Sequence, residues 1–309
     1  MITLISLNSS IDQVYVAEKF STDAVNRVKL AYRGAGGKTI NVAKVLNMLH
    51  VPVHCIAFVA GTTGQLIKQE IQNINLPATF LQVDGTSRFC STILAQNTTT
   101  EILEDGHYVS DEMVQKLLET CIEQAHRTVY FVVTGSIPNG MTMDQYKVLI
   151  DTLKSTGKPL VIDTSGQALK IAYGCRPDVL KPNEEEFKAL VGNGRLSISE
   201  LKHYLLQMKD KPNYFFVTLG RDGALLCYKQ LIYYAQCAKN IEAINAVGSG
   251  DSFLAGFLAG LYQKKPVEKC IQMAMAAGIV NAMSLEIATV NMESWEAFQQ
   301  EVIVTILEG

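Results

Sequence analysis

The sequence predicts an α/β protein in which a mainly parallel sheet is covered by helices on both faces. Short apolar segments typical of strands alternate with amphipathic segments typical of helices through most of the chain, and this alternation is the pattern of such a sheet. With 309 residues, of which 48% are hydrophobic and 18% charged, the chain can bury one large core. No linker or repeat divides it, so we expect a single domain over residues 1–309.

The predicted strands of the large sheet are short and apolar. They are Ile2 to Leu7, Val53 to Val59, Val129 to Thr134, Leu160 to Asp163, Val179 to Lys181 and Phe215 to Leu219. Helices are expected between them. One helix start is marked by a capping box, Ser197 followed by Glu200, after a Gly-Asn-Gly loop at 192–194.

Two segments depart from this alternation, at about residues 13–32 and 79–108. Apolar and polar residues alternate there, and Asp-Gly pairs occur at 84–85 and 105–106. Both signals predict β-hairpins. We interpret both segments as parts of a small β-sheet that forms a lid. Because a small sheet with exposed edges is stabilised by pairing with another copy, we expect a homodimer joined through the lids.

Composition excludes several classes of protein. A net charge of −3, from 27 basic and 30 acidic residues, provides no general field for nucleic acid or an anionic membrane. The first residues lack the pattern of a signal peptide. The most apolar run, Phe253 to Tyr262, is about half of the roughly 20 residues that a membrane helix needs, and its glycines 256 and 260 predict a closely packed buried helix. Seven scattered cysteines without a CxxC pair fit a reduced, cytoplasmic protein.

The most informative segment is Asn245-Ala-Val-Gly-Ser-Gly-Asp251, which leads directly into an apolar helix. Glycines at 248 and 250 allow backbone amides to converge on an anion at the helix start, where the helix dipole adds to the attraction. Asp251 then lies beside a bound phosphate, where it can take a proton from an attacking alcohol. The alternative is that Asp251 only satisfies amides of the first turn, which explains the aspartate but not the two glycines.

A second glycine motif, Gly36-Gly37-Lys38-Thr-Ile-Asn41, also precedes a predicted helix. Lys38 can act as a point charge on phosphate, and Asn41 can both donate to and accept from sugar hydroxyls. A glycine turn with a solvated lysine is the ordinary alternative.

Two further residues are candidates for the sugar. Asp12 follows the first strand, at the carboxyl end where α/β sheets present ligands. Arg88 lies in the predicted lid and can contact a phosphate with two hydrogen bonds, although a surface arginine is ordinarily solvated. Cys90 lacks a histidine partner nearby, so we favour packing over a nucleophilic role, and His107 either contacts a phosphate or has no role in binding.

In this order, the segments resemble the ribokinase-like (phosphofructokinase B) family of carbohydrate kinases from Met1 to the last helix. The matching motifs are Leu7-Asn-Ser-Ser-Ile-Asp12, Gly36-Gly-Lys-Thr-Ile-Asn-Val-Ala-Lys-Val-Leu46, Thr134-Gly-Ser-Ile-Pro-Asn-Gly140, Lys181-Pro-Asn-Glu-Glu-Glu186 and Val217-Thr-Leu-Gly-Arg-Asp-Gly-Ala224. The resemblance implies a three-layer α/β/α fold with a small β-sheet lid, and ATP and Mg²⁺ as cofactors.

The resemblance also implies roles for residues. Asp251 is implied as the catalytic base, beside an anion hole of Gly248, Ser249 and Gly250. Asn183 and Glu186 are implied to organise Mg²⁺, although an Asn-x-x-Glu pair on a helix is ordinarily a solvated face. The residues implied to border the nucleotide are Lys181, Asn183, Thr218, Gly220, Gly223 and Asn281.

Within the family, the motifs near the N-terminus, Leu7 to Asp12 and Gly36 to Leu46, look like the branch of tagatose-6-phosphate kinases and 1-phosphofructokinases. Cys90 and Thr92 stand where the 1-phosphofructokinase pattern usually has asparagine and lysine, which favours tagatose 6-phosphate and leaves Arg88 to bind the substrate phosphate. Thr39 replaces a usual glycine, so its side chain is expected to restrict the approach to the sugar. The alternatives are 1-phosphofructokinase, a nucleoside or vitamin kinase, and a catalytically silent sugar-phosphate sensor.

Overall fold

The computed structural model describes residues 1–96, 98–192, 196–208 and 211–307. Its strands are β1 (Ile2–Ser6), β2 (Ser10–Ala17), β3 (Lys29–Gly36), β4 (Val53–Val59), β5 (Ala78–Gln82), β6 (Arg88–Ala95), β7 (Thr98–Leu103), β8 (Tyr130–Thr134), β9 (Leu160–Asp163), β10 (Val179–Leu180), β11 (Tyr214–Thr218), β12 (Ala224–Tyr228), β13 (Leu231–Cys237) and β14 (Val302–Leu307). Its helices are α1 (Lys38–Met48), α2 (Gly61–Asn73), α3 (Asp111–Gln124), α4 (Met143–Ser155), α5 (Gly166–Cys175), α6 (Glu184–Val191), α7 (Ile198–Gln207), α8 (Ser249–Tyr262), α9 (Val267–Ala282) and α10 (Met292–Glu301).

The large sheet has ten strands in the order β14-β13-β12-β11-β10-β9-β8-β1-β4-β5. The pairs from β5 to β11 are parallel, and the pairs from β11 to β14 are antiparallel. The predicted parallel strands are therefore confirmed, and β4 and β9 have the predicted bounds. The antiparallel edge was not predicted. Its β12–β13 turn places Lys229 and Gln230 at φ values of 49° and 65°, so it lacks the Asn-Gly pair that usually marks such a turn.

Two hydrophobic cores cover the two faces of this sheet, as the predicted three-layer arrangement requires. Alternate residues of β1 contribute to opposite cores: Ile2 and Leu4 to one, and Ile5 to the other together with Leu7, which follows the strand. Helices α1, α2, α8, α9 and α10 supply the first core, and helices α3 to α7 supply the second. The period-two pattern of each strand thus explains why both faces are buried.

The small sheet has four strands in the order β3-β2-β6-β7. The predicted lid segment at 79–108 needs a correction, because β5 pairs in parallel with β4 at the edge of the large sheet. After β3, the next strand of the small sheet along the chain is therefore β6, which begins at Arg88. The Asp-Gly pairs at 84–85 and 105–106 lie outside the hairpin turns, since the β6–β7 turn follows Ala95.

Helix ends and helix contacts follow the predicted local signals. Ser197 and Glu200 form a complete capping box at the start of α7. In the Gly-Asn-Gly loop, Gly192 caps α6 with a left-handed φ of 76°, and positions 193 and 194 lie outside the described residues.

The glycines at 256 and 260 bring α8 against α9, as predicted. A Cβ at Gly256 would lie 2.4 Å from the Met273 carbonyl oxygen, and a Cβ at Gly260 would lie 2.8 Å from Cys270 Sγ. Close backbone contact therefore depends on both glycines. Among the helices of the described segments, none is both long and apolar enough to span a membrane.

Candidate active site

The loop before α8 has the geometry of an anion site. Gly248 is the N-cap of α8, with a left-handed φ of 81°, and a Cβ there would lie 2.8 Å from Ile287 Cγ2. The Ser249 amide donates to the Ala246 carbonyl oxygen at 3.1 Å, so it is not free to bind an anion. In the described part of the chain, the Gly250 and Asp251 amides have no backbone acceptor. The Gly248 amide likewise has no acceptor there, so only Ser249 of the predicted anion hole is engaged, and the Asp251 amide adds a further donor.

Asn281 supports this loop from α9. Its Nδ2 donates to the Val247 carbonyl oxygen at 2.9 Å and to Ser249 Oγ at 3.0 Å, while its Oδ1 accepts from the Ala288 amide at 2.7 Å. The side chain is fully buried. Its polar groups are thus engaged inside the protein, where they support the loop, and its place beside the nucleotide stays a prediction.

Asp251 lies in the first turn of α8, where it is 6% exposed. Its Oδ2 accepts a hydrogen bond from Asn41 Nδ2 at 2.9 Å. Burial raises the pKa of this carboxyl group to about 7, although Lys38 and the Asn41 hydrogen bond oppose the shift. Such a group can accept a proton near neutral pH.

Asn41 Nδ2, which bonds Asp251, also bonds Asp12, and Asp12 lies against the two glycines of the second motif. The Asp12 carboxylate accepts from Ser10 Oγ at 2.6 Å, from the Gly37 amide at 3.3 Å and from Asn41 Nδ2 at 3.4 Å. A Cβ at Gly36 would lie 2.1 Å from Asp12 Oδ2, so only glycine leaves room for this carboxylate. Asn41 Oδ1 is buried without a partner in the described structure, which leaves an acceptor for a ligand hydroxyl.

A buried aspartate, Asp163 at the end of β9, joins Lys38, the predicted phosphate ligand, to Lys181, which was expected to border the nucleotide. Its oxygens lie 3.3 Å from Lys38 Nζ and 2.9 Å from Lys181 Nζ. Burial alone would raise the pKa of Asp163, but Lys181 and Lys38 outweigh it and hold that pKa below its usual value. Asp163 in turn raises the pKa of Lys38. A Cβ at Gly250 would lie 3.6 Å from Lys181 Nζ, so this cationic pair borders the anion loop.

Asn183 and Glu186 form the capping box of α6. Asn183 Oδ1 accepts from the Glu186 amide, and Glu186 Oε2 accepts from the Asn183 amide, both at 2.8 Å. The second carboxylate oxygen, Oε1, lies 4.0 Å from Lys38 Nζ. Since Mg²⁺ is usually held by one or two carboxylates together with water and phosphate oxygens, this oxygen fits a magnesium site. The metal role itself stays a prediction.

The predicted nucleotide residues beyond α6 occupy the neighbouring strand end. Thr218 ends β11, and its amide donates to the Pro182 carbonyl oxygen at 3.2 Å. Gly220 faces open space with a φ of 59°. Gly223 has a packing role, because a Cβ there would lie 1.9 Å from the Ala235 carbonyl oxygen.

Comparison with known proteins agrees with this geometry. The sequence profile of the pfkB family carbohydrate kinases matches residues 1–289. The chain belongs to the pfkB family of carbohydrate kinases.

Two curated members of the pfkB family match most of the chain. The tagatose-6-phosphate kinase of Staphylococcus epidermidis is 32% identical over 99% of this chain and 100% of its own. The 1-phosphofructokinase of Bacillus subtilis is 32% identical over 94% of this chain and 95% of its own. The crystal structure of phosphofructokinase-2 from Escherichia coli with substrates and products has a TM-score of 0.90 at 20% identity, covering 97% of this chain and 98% of that one. The predicted ribokinase-like fold is thereby confirmed.

One departure from the pfkB pattern has a different consequence from the one predicted. The Thr39 hydroxyl donates to the carbonyl oxygens of Ile5 at 3.1 Å and Thr134 at 2.8 Å, and the residue is 1% exposed. The side chain therefore points toward the ends of β1 and β8. It does not restrict the approach to the sugar.

Arg88 begins β6, opposite Ser10 of β2, and its Nη1 donates to the Glu104 carbonyl oxygen at 3.2 Å. A Cβ at Gly106 would lie 3.3 Å from Arg88 Cδ and 2.5 Å from Asn8 Oδ1, so Arg88 and Asn8 converge there. His107 is buried, and its Nε2 is bonded to the Leu7 carbonyl oxygen at 3.1 Å. These observations favour the alternative that His107 has no role in binding.

Sequence reasoning missed several residues of this pfkB site. Asp163 ends a buried strand, which is the same signal that identified Asp12. Asn8 Nδ2 donates to Ser136 Oγ at 3.1 Å, and both residues belong to motifs that carried the resemblance. Near the anion loop, three apolar side chains that no local pattern indicated are exposed: Ile244, Met283 and Leu285.

Proposed function

We propose that this chain is an ATP-dependent ketohexose-phosphate kinase, with tagatose 6-phosphate as the preferred substrate and fructose 1-phosphate as the second candidate. One observation carries the proposal. Asp251, a buried carboxyl group with a raised pKa, lies between the free amides of an anion loop and a cluster of sugar-binding type, Asp12 and Asn41. The names of the two curated relatives supply the class of sugar.

In the proposed reaction, the hydroxyl oxygen of the sugar attacks the γ-phosphorus of ATP. The bond from that phosphorus to the bridging oxygen breaks, ADP leaves, and the proton of the hydroxyl passes to Asp251. General-base assistance of this kind contributes about 10² to 10⁴ in rate. Asp12 and Asn41 orient the hydroxyl, since both border Asp251 through hydrogen bonds of the same amide.

Charge on the transferred phosphoryl group is stabilised by the amides of Gly250 and Asp251 and by the dipole of α8. Lys38 and Lys181 add two cations, fixed in place by Asp163. Because Asp163 neutralises only one of the two charges, the trio itself keeps a net positive charge beside the loop, and the opposing charge of Glu186 near Lys38 would be offset when Glu186 binds Mg²⁺. The proposed site thus attracts polyphosphate without a basic protein surface.

ATP is proposed to lie along the ends of β10 and β11, over Thr218 and Gly220. The exposed apolar group of Ile244, Met283 and Leu285 is suited to the adenine ring. Glu186 is the proposed ligand of Mg²⁺, which when bound offsets charge on the β- and γ-phosphates. Arg88, beside Asn8, is proposed to bind the phosphate that the sugar already carries.

The test is release of ADP on mixing the protein with ATP, Mg²⁺ and one of three sugars: tagatose 6-phosphate, fructose 1-phosphate or fructose 6-phosphate. We expect turnover with at least one, and the ratio of kcat/KM values ranks the substrates. No turnover with any of the three contradicts the proposal and favours a sugar-phosphate sensor. Turnover with an uncharged substrate alone favours a nucleoside or vitamin kinase.

We also propose that two copies pair through their small sheets. Several apolar side chains are exposed on or beside these strands: Val16, Val28, Leu30, Ile102 and Leu103. Sedimentation at micromolar concentration is expected to give a dimer. A matched pair of aspartate substitutions tests the surface, because Leu30→Asp should produce monomers whereas Ile122→Asp, at an exposed site on α3, should not. A wild-type monomer contradicts the proposal.

A further inference from the structure

A buried ammonium group lies behind the candidate active site. Lys44 of α1 is 7% exposed, and its Nζ donates to Tyr32 Oη at 2.7 Å, to the Ile287 carbonyl oxygen at 3.1 Å and to the Ala35 carbonyl oxygen at 3.4 Å. Three N–H groups therefore match three acceptors, as a protonated lysine requires. Within residues 1–96, 98–192, 196–208 and 211–307, it makes no ion pair with a carboxylate.

A buried cation without a paired carboxylate is costly. Burial accordingly lowers the pKa of Lys44, while four acidic residues at longer range oppose the shift: Asp12, Glu286, Glu70 and Asp251. A methionine or leucine could fill the same space without this cost. The arrangement therefore calls for a role that an apolar side chain cannot fill.

The three acceptors belong to two parts of the site. Tyr32 and Ala35 lie on β3. Gly36, the next residue of that strand, lies against the Asp12 carboxylate. Ile287 lies in the segment after α9, and its side chain packs at Gly248 in the anion loop. Lys44 is thus bonded both to the strand that supports the sugar side and to the segment that supports the anion loop.

The segment around Ile287 needs such support. Ala288 has a φ of 56°, a left-handed conformation that is unfavourable for a residue with a side chain. Strained backbone of this kind persists only where its surroundings hold it. Here the Ala288 amide is held by Asn281, and the preceding carbonyl, that of Ile287, is held by Lys44.

We propose that Lys44 is a positioning residue for phosphoryl transfer. Its ammonium group ties the Ile287 carbonyl to β3 and so fixes the anion loop, Gly248 to Asp251, relative to Asp12. Lys44 does not contact the reacting atoms in this arrangement. This inference rests on the proposed kinase activity for its kinetic consequence, but the tie itself exists without any substrate.

The first test uses Lys44→Met, which keeps an unbranched side chain as far as the Cε position and removes the ammonium group. We expect kcat to fall at least about tenfold while KM for ATP and for the sugar changes less than about threefold, the pattern of a group that acts in the transition state. Unchanged kcat overturns the proposal. If the wild-type protein is inactive, that result counts against the proposed function and not against the role of Lys44. Amide hydrogen exchange of Lys44→Met and of the wild-type protein is therefore measured in parallel. It should accelerate at 284–290 and 247–251, and unchanged exchange there also overturns the proposal.

The second test asks whether charge or volume is needed. Lys44→Ala leaves out the atoms of a propylammonium ion, so added propylammonium should restore activity several-fold, whereas 1-propanol, of the same shape but uncharged, should not. Equal reactivation by both would mean that Lys44 only fills space. If Lys44→Ala does not fold, the kinetics and hydrogen exchange of Lys44→Met decide.

Discussion

Asn41 Nδ2 donates to Asp251 Oδ2 across the contact between α1 and α8. The same amide lies 3.4 Å from Asp12, so one side chain of α1 holds the proposed base and the proposed sugar carboxylate in a single network. Because both motifs begin helices, the two glycine segments meet at helix starts, where amides are free to bind ligands. The relative placement of base and sugar therefore depends on the packing of two helices.

Replacement of Asp251 by asparagine tests its role as the base. Asparagine preserves size and cannot accept the proton, so kcat should fall by at least about 10². The ATP dissociation constant, measured by calorimetry, should remain nearly unchanged. Near-normal turnover would remove Asp251 from the mechanism.

The pH dependence of kcat/KM should show an acidic limb near pH 7. Asp251 acts as a base only when ionised, and burial raises its pKa to about 7. Activity should therefore rise as the pH increases through this value and level off above it. The measurement is initial rate against pH at low sugar concentration.

The substrate phosphate also ionises near this pH, with a second pKa of about 6, so a control is needed. Asn41→Ala removes the hydrogen bond that favours the ionised form of Asp251. The acidic limb should then move to higher pH. A limb that stays in place in this variant must be assigned to the substrate.

Gly36→Ala tests the sugar side. The new Cβ would lie 2.1 Å from Asp12 Oδ2, so the carboxylate must move, and a displacement of this size should raise KM for the sugar at least about tenfold. KM for ATP should change little. The matched control is Gly174→Ala in α5, where nothing lies within 4 Å of the added carbon, and both kinetic constants should stay at wild-type values.

Thr39→Val tests the orientation of that side chain. Loss of the hydroxyl leaves two buried carbonyl oxygens without this donor, which should lower the free energy of unfolding by about 1 to 3 kcal/mol in urea titration. KM for the sugar should be unchanged, because the side chain points into the protein. The same substitution at Thr99, exposed in β7, should leave stability unchanged, and an altered sugar KM in Thr39→Val would contradict the assignment.

Local signals predicted the features that depend on short segments. The parallel strands, the α7 capping box, the two glycine motifs and the close α8–α9 contact could all be inferred from residue patterns. Features that depend on tertiary partners could not. Residues 78–82 have the same alternation whether they pair with β4 or with a lid strand, and only the fold decides between them.

The candidate site shows the same division. Asp251 was predicted from its position at a helix start, and Asp12 from a predicted strand end, although it lies inside β2 of the small sheet. The hydrogen bonds of Asn281, the direction of Thr39 and the tie at Lys44 depend on partners 7 to 243 residues away in sequence. A lysine inside an amphipathic helix is ordinarily solvated. Nothing near Lys44 in sequence distinguishes it from that case.

The glycines of α8 have a mechanical consequence. With its backbone pressed against α9 at Gly256 and Gly260, the helix that begins at the anion loop is restrained from tilting or sliding. Any closure of the cleft on ligand binding is then expected from the outer strands of the four-stranded sheet, because Asn41 and Lys44 hold Asp12 in place relative to the base.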